Sequence, residues 1–98
     1  MGSVNRVILL GNVGRDPDVK TTDQTTVAKF SIATTDFRKE TEWHNVVCFG
    51  KLAEIARDYV KKGSLVFVEG RIKSEKYEGK DGNQKVSYSI IVEQMQLN

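Results

Sequence analysis

Trp43 and Phe49 stand six residues apart in the run Trp43-His44-Asn45-Val46-Val47-Cys48-Phe49-Gly50-Lys51, whose residue types alternate as in a strand. At about 3.3 Å per residue the two rings lie roughly 20 Å apart on one face, together with Asn45 and Val47. Aromatic faces beside positive charge suit the stacking of bases and the neutralising of phosphates. The same face would serve equally well as half of a hydrophobic core, and alternation does not separate the two. Two more aromatics occupy positions unusual for a core. Phe37 sits beside Arg38 and Lys39 at the start of a connection, and Tyr77 where a later strand enters its hairpin. Phe30, on an apolar strand face, and Tyr59, on a helix stripe, are assigned to packing.

Nucleophilic, acid–base and metal chemistry find little support. His44 is the only histidine, and its i+4 spacing from Cys48 would suit a metal on a helix. On a strand the two are about 13 Å apart, too far to share one ion. Asp16, Asp18 and Asp23 lack the glycine and terminal glutamate of a calcium loop and read as turn formers. Gly11-Asn12-Val13-Gly14 follows a strand but opens no helix, so a phosphate-cradling loop is not expected. The residues predict no catalytic centre, no metal and no cofactor.

The elements that must carry these side chains follow from periodicity. Val4 to Leu10 reads as a strand that bends at Gly11–Gly14, and Arg15-Asp16-Pro17-Asp18 is turn chemistry. Thr25 to Thr35 alternates as a second strand: Val27, Lys29, Ser31 and Ala33 lie on one face, with Ala28, Phe30, Ile32 and Thr34 on the other. Thr41 to Phe49 is the third. Leu52, Ile55, Ala56, Tyr59 and Val60 then recur at helical spacing, with Lys61 and Lys62 suited to a C-terminal dipole and Gly63 to a left-handed cap. Ser64 to Tyr77 and Lys85 to Leu97 form a final pair of strands around the polar tip Glu78–Asn83. Three strands, one helix and two strands predict an all-β chain with one helix: an OB-fold, a five-stranded antiparallel barrel with the helix between its third and fourth strands.

The 98 residues suffice for one domain, spanning residues 1–98, small enough that self-association is unsurprising. The formal charge of +2 says little, but its distribution is uneven: residues 1–50 carry six basic and six acidic side chains, residues 51–98 nine and seven. A single cysteine, Cys48, excludes an internal disulfide and fits a reducing compartment. The only apolar run near the start is interrupted by Asn5 and Arg6, and no stretch reaches membrane-spanning length. A soluble intracellular chain without a membrane partner is expected.

Four segments in register resemble the bacterial single-stranded DNA-binding protein (SSB) family. They are Val4-Asn5-Arg6-Val7-Ile8-Leu9-Leu10-Gly11-Asn12-Val13-Gly14-Arg15-Asp16-Pro17, Thr41-Glu42-Trp43-His44-Asn45-Val46-Val47, Phe49-Gly50-Lys51-Leu52-Ala53-Glu54, and the series Tyr59, Lys62-Gly63-Ser64, Val68-Glu69-Gly70-Arg71. The resemblance implies an OB-fold that assembles, usually as a homotetramer, and wraps single-stranded DNA. It implies stacking by Trp43 and Phe49, with Phe37 and Tyr77 standing where many members have tryptophan. His44 takes the place of a histidine used at a subunit contact. Arg6, Lys20, Lys51, Lys62, Lys73 and Lys76 occupy basic positions that would track phosphates.

There are departures. Glu75 and Asn45 replace arginines of some members, and the loop after Phe37 is shorter than in long-loop members. Typical members continue into an acidic, partner-recruiting tail, so tail-mediated replication partners are not expected of this sequence. A second reading is an adaptor in replication restart, similar to primosomal replication protein N, which would be dimeric. A third, an OB-fold nuclease, lacks a carboxylate cluster.

Overall fold

Period-two alternation dominates this chain, and strands form where it is strongest. The computed structural model describes residues 2–98. Its elements are β1 (Val7–Val13), β2 (Asp18–Thr21), β3 (Thr26–Thr35), β4 (Thr41–Phe49), α1 (Lys51–Tyr59), β5 (Leu65–Glu78) and β6 (Gln84–Leu97). The expected third strand is met residue for residue, and the others within a few residues of their ends. β2 is the addition. Its four residues pair with Thr26–Lys29 of β3, so it exists because that edge is free and not through an apolar pattern of its own.

The five long strands close a ring in the OB arrangement. β1 pairs with β5, β5 with β6, β6 with β4, β4 with β3, and β3 returns to β1 at Asn12–Ala33 and Val13–Ile32. The ring fits the expected OB-fold: its pairings are antiparallel except that of β4 with β6, which run parallel at Val46–Ile90 and Val47–Ile91. The cause is arithmetic: strands around a closed ring cannot all alternate in direction when their number is odd. The expected bend at Gly11 is where β1 leaves β5 for β3. A Cβ on Gly11 would overlap the Ala33 carbonyl oxygen, and one on Gly70, at the β5–β6 bulge, would overlap that of Ile91. Both corners of the ring therefore depend on backbone approaching backbone.

The inward set of each strand fills the ring. Phe30, Ile32, Val46, Cys48, Val66, Val68, Ile90 and Val92 are buried, and α1 covers them with Ala53 and Ala56. Val60 ends the helix in an extended conformation and is buried, so the covering stripe runs Ala53–Ala56–Val60. Tyr59, expected in the core, is rotated off this stripe and is 67% exposed. Gly63 has the expected positive φ of 88°, but three residues beyond the helix cap. It closes a turn whose N–H donates to the Val13 carbonyl at 2.7 Å. Lys61 and Lys62 likewise lie past the last helical turn, where Arg57 sits instead.

Burial pushes the Cys48 thiol up from 9.0 to about 12. A raised pKa in the folded state favours folding below the unfolded value, and this contribution is lost as pH rises from 9.0 toward about 12. Cys48→Ala is expected to flatten that alkaline limb, so the stability gap between parent and variant in urea melts should narrow across this window. A constant gap would show that the thiol ionises equally in both states.

Candidate nucleic-acid interface

The β3–β4 hairpin sorts its residues into two rows. With Thr35 opposite Thr41, the inward row pairs Ala28 with Cys48, Phe30 with Val46 and Ile32 with His44. The outward row pairs Val27 with Phe49, Lys29 with Val47, Ser31 with Asn45 and Ala33 with Trp43. Trp43 and Phe49 thus lie on the solvent side, 58% and 48% exposed, and the core uses the alternate residues. Between them Ser31 Oγ donates to Asn45 Oδ1 at 3.2 Å. The Trp43 ring rests with its outer edge against the Gly14 backbone.

Phe37 crowns the same hairpin and is almost wholly exposed. Asp36 organises this tip: its Oδ1 accepts the N–H groups of Arg38 at 2.8 Å and Glu40 at 3.0 Å. Its carbonyl accepts the Lys39 N–H at 3.0 Å, and Lys39 adopts φ 65°. The Arg38 guanidinium lies 5.5 Å from the Phe37 ring centre. The short loop after Phe37 is therefore a tight, internally bonded turn.

The parallel β4–β6 pairing extends the outward face onto the β5–β6 arm. One row runs Asp18, Lys29, Val47, Ile91, Arg71 across all five neighbouring strands. The next rows on the arm are Lys73–Ser89, Glu75–Ser87 and Tyr77–Lys85. Arm and hairpin enclose an open groove of about 870 Å³, whose polar lining includes Lys29, Ser31, Asn45, Ser87 and Ser89. Its charged walls are Arg15, Lys29, Arg71 and Lys73 against Asp16, Asp18 and Glu75, and Phe49 stands at its margin.

The expected basic residues divide around this groove. Lys73 lines it. Lys20 lies opposite Val27, in the row of Phe49. Lys51 opens α1 directly after β4, and the Lys62 N–H donates to Asp16 Oδ1 at 2.8 Å, which ties its turn to the groove wall. Two others are not brought to it. Lys76, paired with Val86, projects from the opposite face of the arm, and the Arg6 guanidinium pairs with Glu69 on another part of β5. His44 is half-buried, with Nε2 2.8 Å from Thr34 Oγ1. Tyr77 stands half-exposed at the arm tip. Among the described residues no three His, Cys, Asp or Glu gather as a metal site, and no helix is long and apolar enough to cross a membrane.

Lys29, Arg15 and Arg71 were not singled out for this site by the sequence reading. Lys29 was within reach, because the 35–41 register puts it directly opposite Val47. Arg71 was not, since only the β4–β6 pairing places it there.

Aromatics on an exposed strand face, beside a groove with lysine and arginine walls, are the equipment for stacking bases along a phosphate chain. Comparison with known proteins points the same way. Residues 4–98 match the Single-strand binding protein family. A single-stranded DNA-binding protein of Xanthomonas campestris pv. campestris is 48% identical over 103 residues, covering 96% of this chain and 60% of the relative. One from Neisseria meningitidis serogroup A is 45% identical, covering 97% and 60%. Single-stranded DNA-binding protein 1 of Xylella fastidiosa is 41% identical, covering 99% and 79%. The chain spans about 60% of the length of the first two of these relatives. With an OB ring, the expected aromatics on its open face and a match over residues 4–98, this chain belongs to the Single-strand binding protein family.

Proposed function

We propose that this chain binds single-stranded DNA without reading its sequence, as a homo-oligomer and not as an enzyme, in replication, recombination and repair within the bacterial cytoplasm. The observation that carries the reading is the outward Trp43–Phe49 row beside the Lys29–Arg71–Lys73 groove. Bases stack on Trp43 and Phe49, and on Phe37 and Tyr77 at the two hairpin tips. Phosphates follow the cations of the groove and of Lys20, Lys51 and Lys62. The names of the relatives support single-stranded DNA as the ligand and lend no support to the restart-adaptor reading.

Self-assembly is supported by an edge and a face. The edge of β1 opposite β5 is paired with β3 only at Asn12 and Val13, which leaves Val7–Leu10 open along it. Ile8, Leu10 and Leu65 are exposed beside it. An open strand edge flanked by apolar side chains is a template for a second copy. A homotetramer built on such contacts, with His44 at a subunit contact, is the assembly we favour over a dimer.

Trp43→Ala should weaken binding of labelled oligo-dT at least about fivefold, given roughly 1–3 kcal/mol per stacked base. Unchanged affinity in a folded variant would refute the platform. Lys73→Ala should lower the slope of log affinity against log salt by about 0.7 per lost phosphate contact, and more than Lys76→Ala. Equal slopes would mean that the groove does not carry the phosphates. Leu10→Glu should reduce the mass measured by light scattering, and an unchanged oligomer would exclude the β1 face from assembly.

A further inference from the structure

We infer that Gly14 is a positioning residue that seats the outer edge of the Trp43 ring and so sets how the indole is presented to a base. This rests on the reading of Trp43 as a stacking platform. A Cβ built on Gly14 would overlap Cζ3 and Cη2 of the Trp43 ring and nothing else so closely. The backbone itself does not demand glycine here, because Gly14 is not among the glycines with positive φ, which are Gly50, Gly63 and Gly82. What excludes a side chain is the ring.

The seat cannot yield. Gly14 N–H donates to the Ser31 carbonyl at 3.1 Å, and its neighbour Val13 donates to Ser64 at 2.9 Å and accepts from Gly63 at 2.7 Å. Those bonds bind the segment to β3 on one side and to the turn after α1 on the other. Trp43, by contrast, is more than half exposed, so its ring has room to be pushed outward. A methyl at position 14 therefore displaces the ring and leaves the barrel intact. With its outer edge on Gly14, the indole is presented in an orientation set before DNA arrives. Ordering a loose ring on binding would instead weaken affinity about two- to tenfold.

Trp43 is the only tryptophan, so its emission reports the seat directly. Gly14→Ala should keep the parent's melting behaviour while making Trp43 emission in the free protein more accessible to acrylamide. Its affinity for labelled oligo-dT, read by anisotropy, should fall about tenfold. In a Trp43→Ala background the same change should cost nothing further. In Trp43→Phe, which lacks the outer ring atoms that meet Gly14, it should change affinity less than twofold. Parent-like affinity for Gly14→Ala, or an equal loss in all three backgrounds, would overturn the inference. Should Gly14→Ala not fold, Trp43→Phe with and without Gly14→Ala makes the comparison, and a several-fold difference between those two overturns it. If Trp43→Ala itself binds as the parent does, the platform reading fails. That result is distinct from one in which Trp43→Ala binds weakly and Gly14→Ala binds normally.

Discussion

Two residue pairs, Val46–Ile90 and Val47–Ile91, close the strand ring and bring the β5–β6 arm beside the aromatic hairpin. Without them β4 and β6 would be two open edges, and the aromatic face would have no wall opposite it. With them, Arg71, Lys73, Ser87 and Ser89 become a second wall opposite Lys29, Ser31 and Asn45. The pairing is parallel because a ring of five cannot alternate throughout. Closing the barrel and making the groove are therefore one event.

That closure is narrow, and the rest of the structure accommodates it with small residues. Gly11 lets β1 cross from β5 to β3 against the Ala33 carbonyl, and Gly70 allows the bulge where the arm leaves the barrel. Ala53 and Ala56 let α1 lie close over the open end. Asn5 supplies a further tie, its side-chain amide exchanging two hydrogen bonds, 2.8 and 2.9 Å, with the backbone of Ile72 as a paired strand residue would. The arm is thereby held at its base while its outer half, from Ile72 onward, stands in solvent.

Electrostatics in this molecule is local. A formal charge of +2 would not mark a nucleic-acid partner, and three acidic side chains share the groove with four basic ones. Several cations are also engaged within the chain: Arg6 by Glu69, Arg57 by Asp58, and Arg71 by Glu93 at 3.5 Å. The Arg57–Asp58 and Arg71–Glu93 pairs are exposed and weak, whereas the Glu69 carboxylate beside Arg6 is largely buried. The aromatic rows rather than the net charge give the face its character.

Much of this was legible from residue order. The alternation of β3 and β4, the hairpin between them and the helix after Phe49 are local properties, set by periods of two and 3.6 residues. The aromatic platform was legible as a face, though not as an exposed one. Alternation fixes which residues travel together, but whether Trp43 or Val46 points inward depends on what the other strands cover. Tyr59 shows the same limit on the helix, where a plausible stripe was rotated by the burial of Val60. Lys76 and Arg71 show it on the arm, since their faces and neighbours follow from the β5–β6 register and from the long-range pairing of β4 with β6. Residue order set the strands, their two faces and the aromatic row; ring closure decided which face meets water, what stands opposite it, and that Trp43 rests on Gly14.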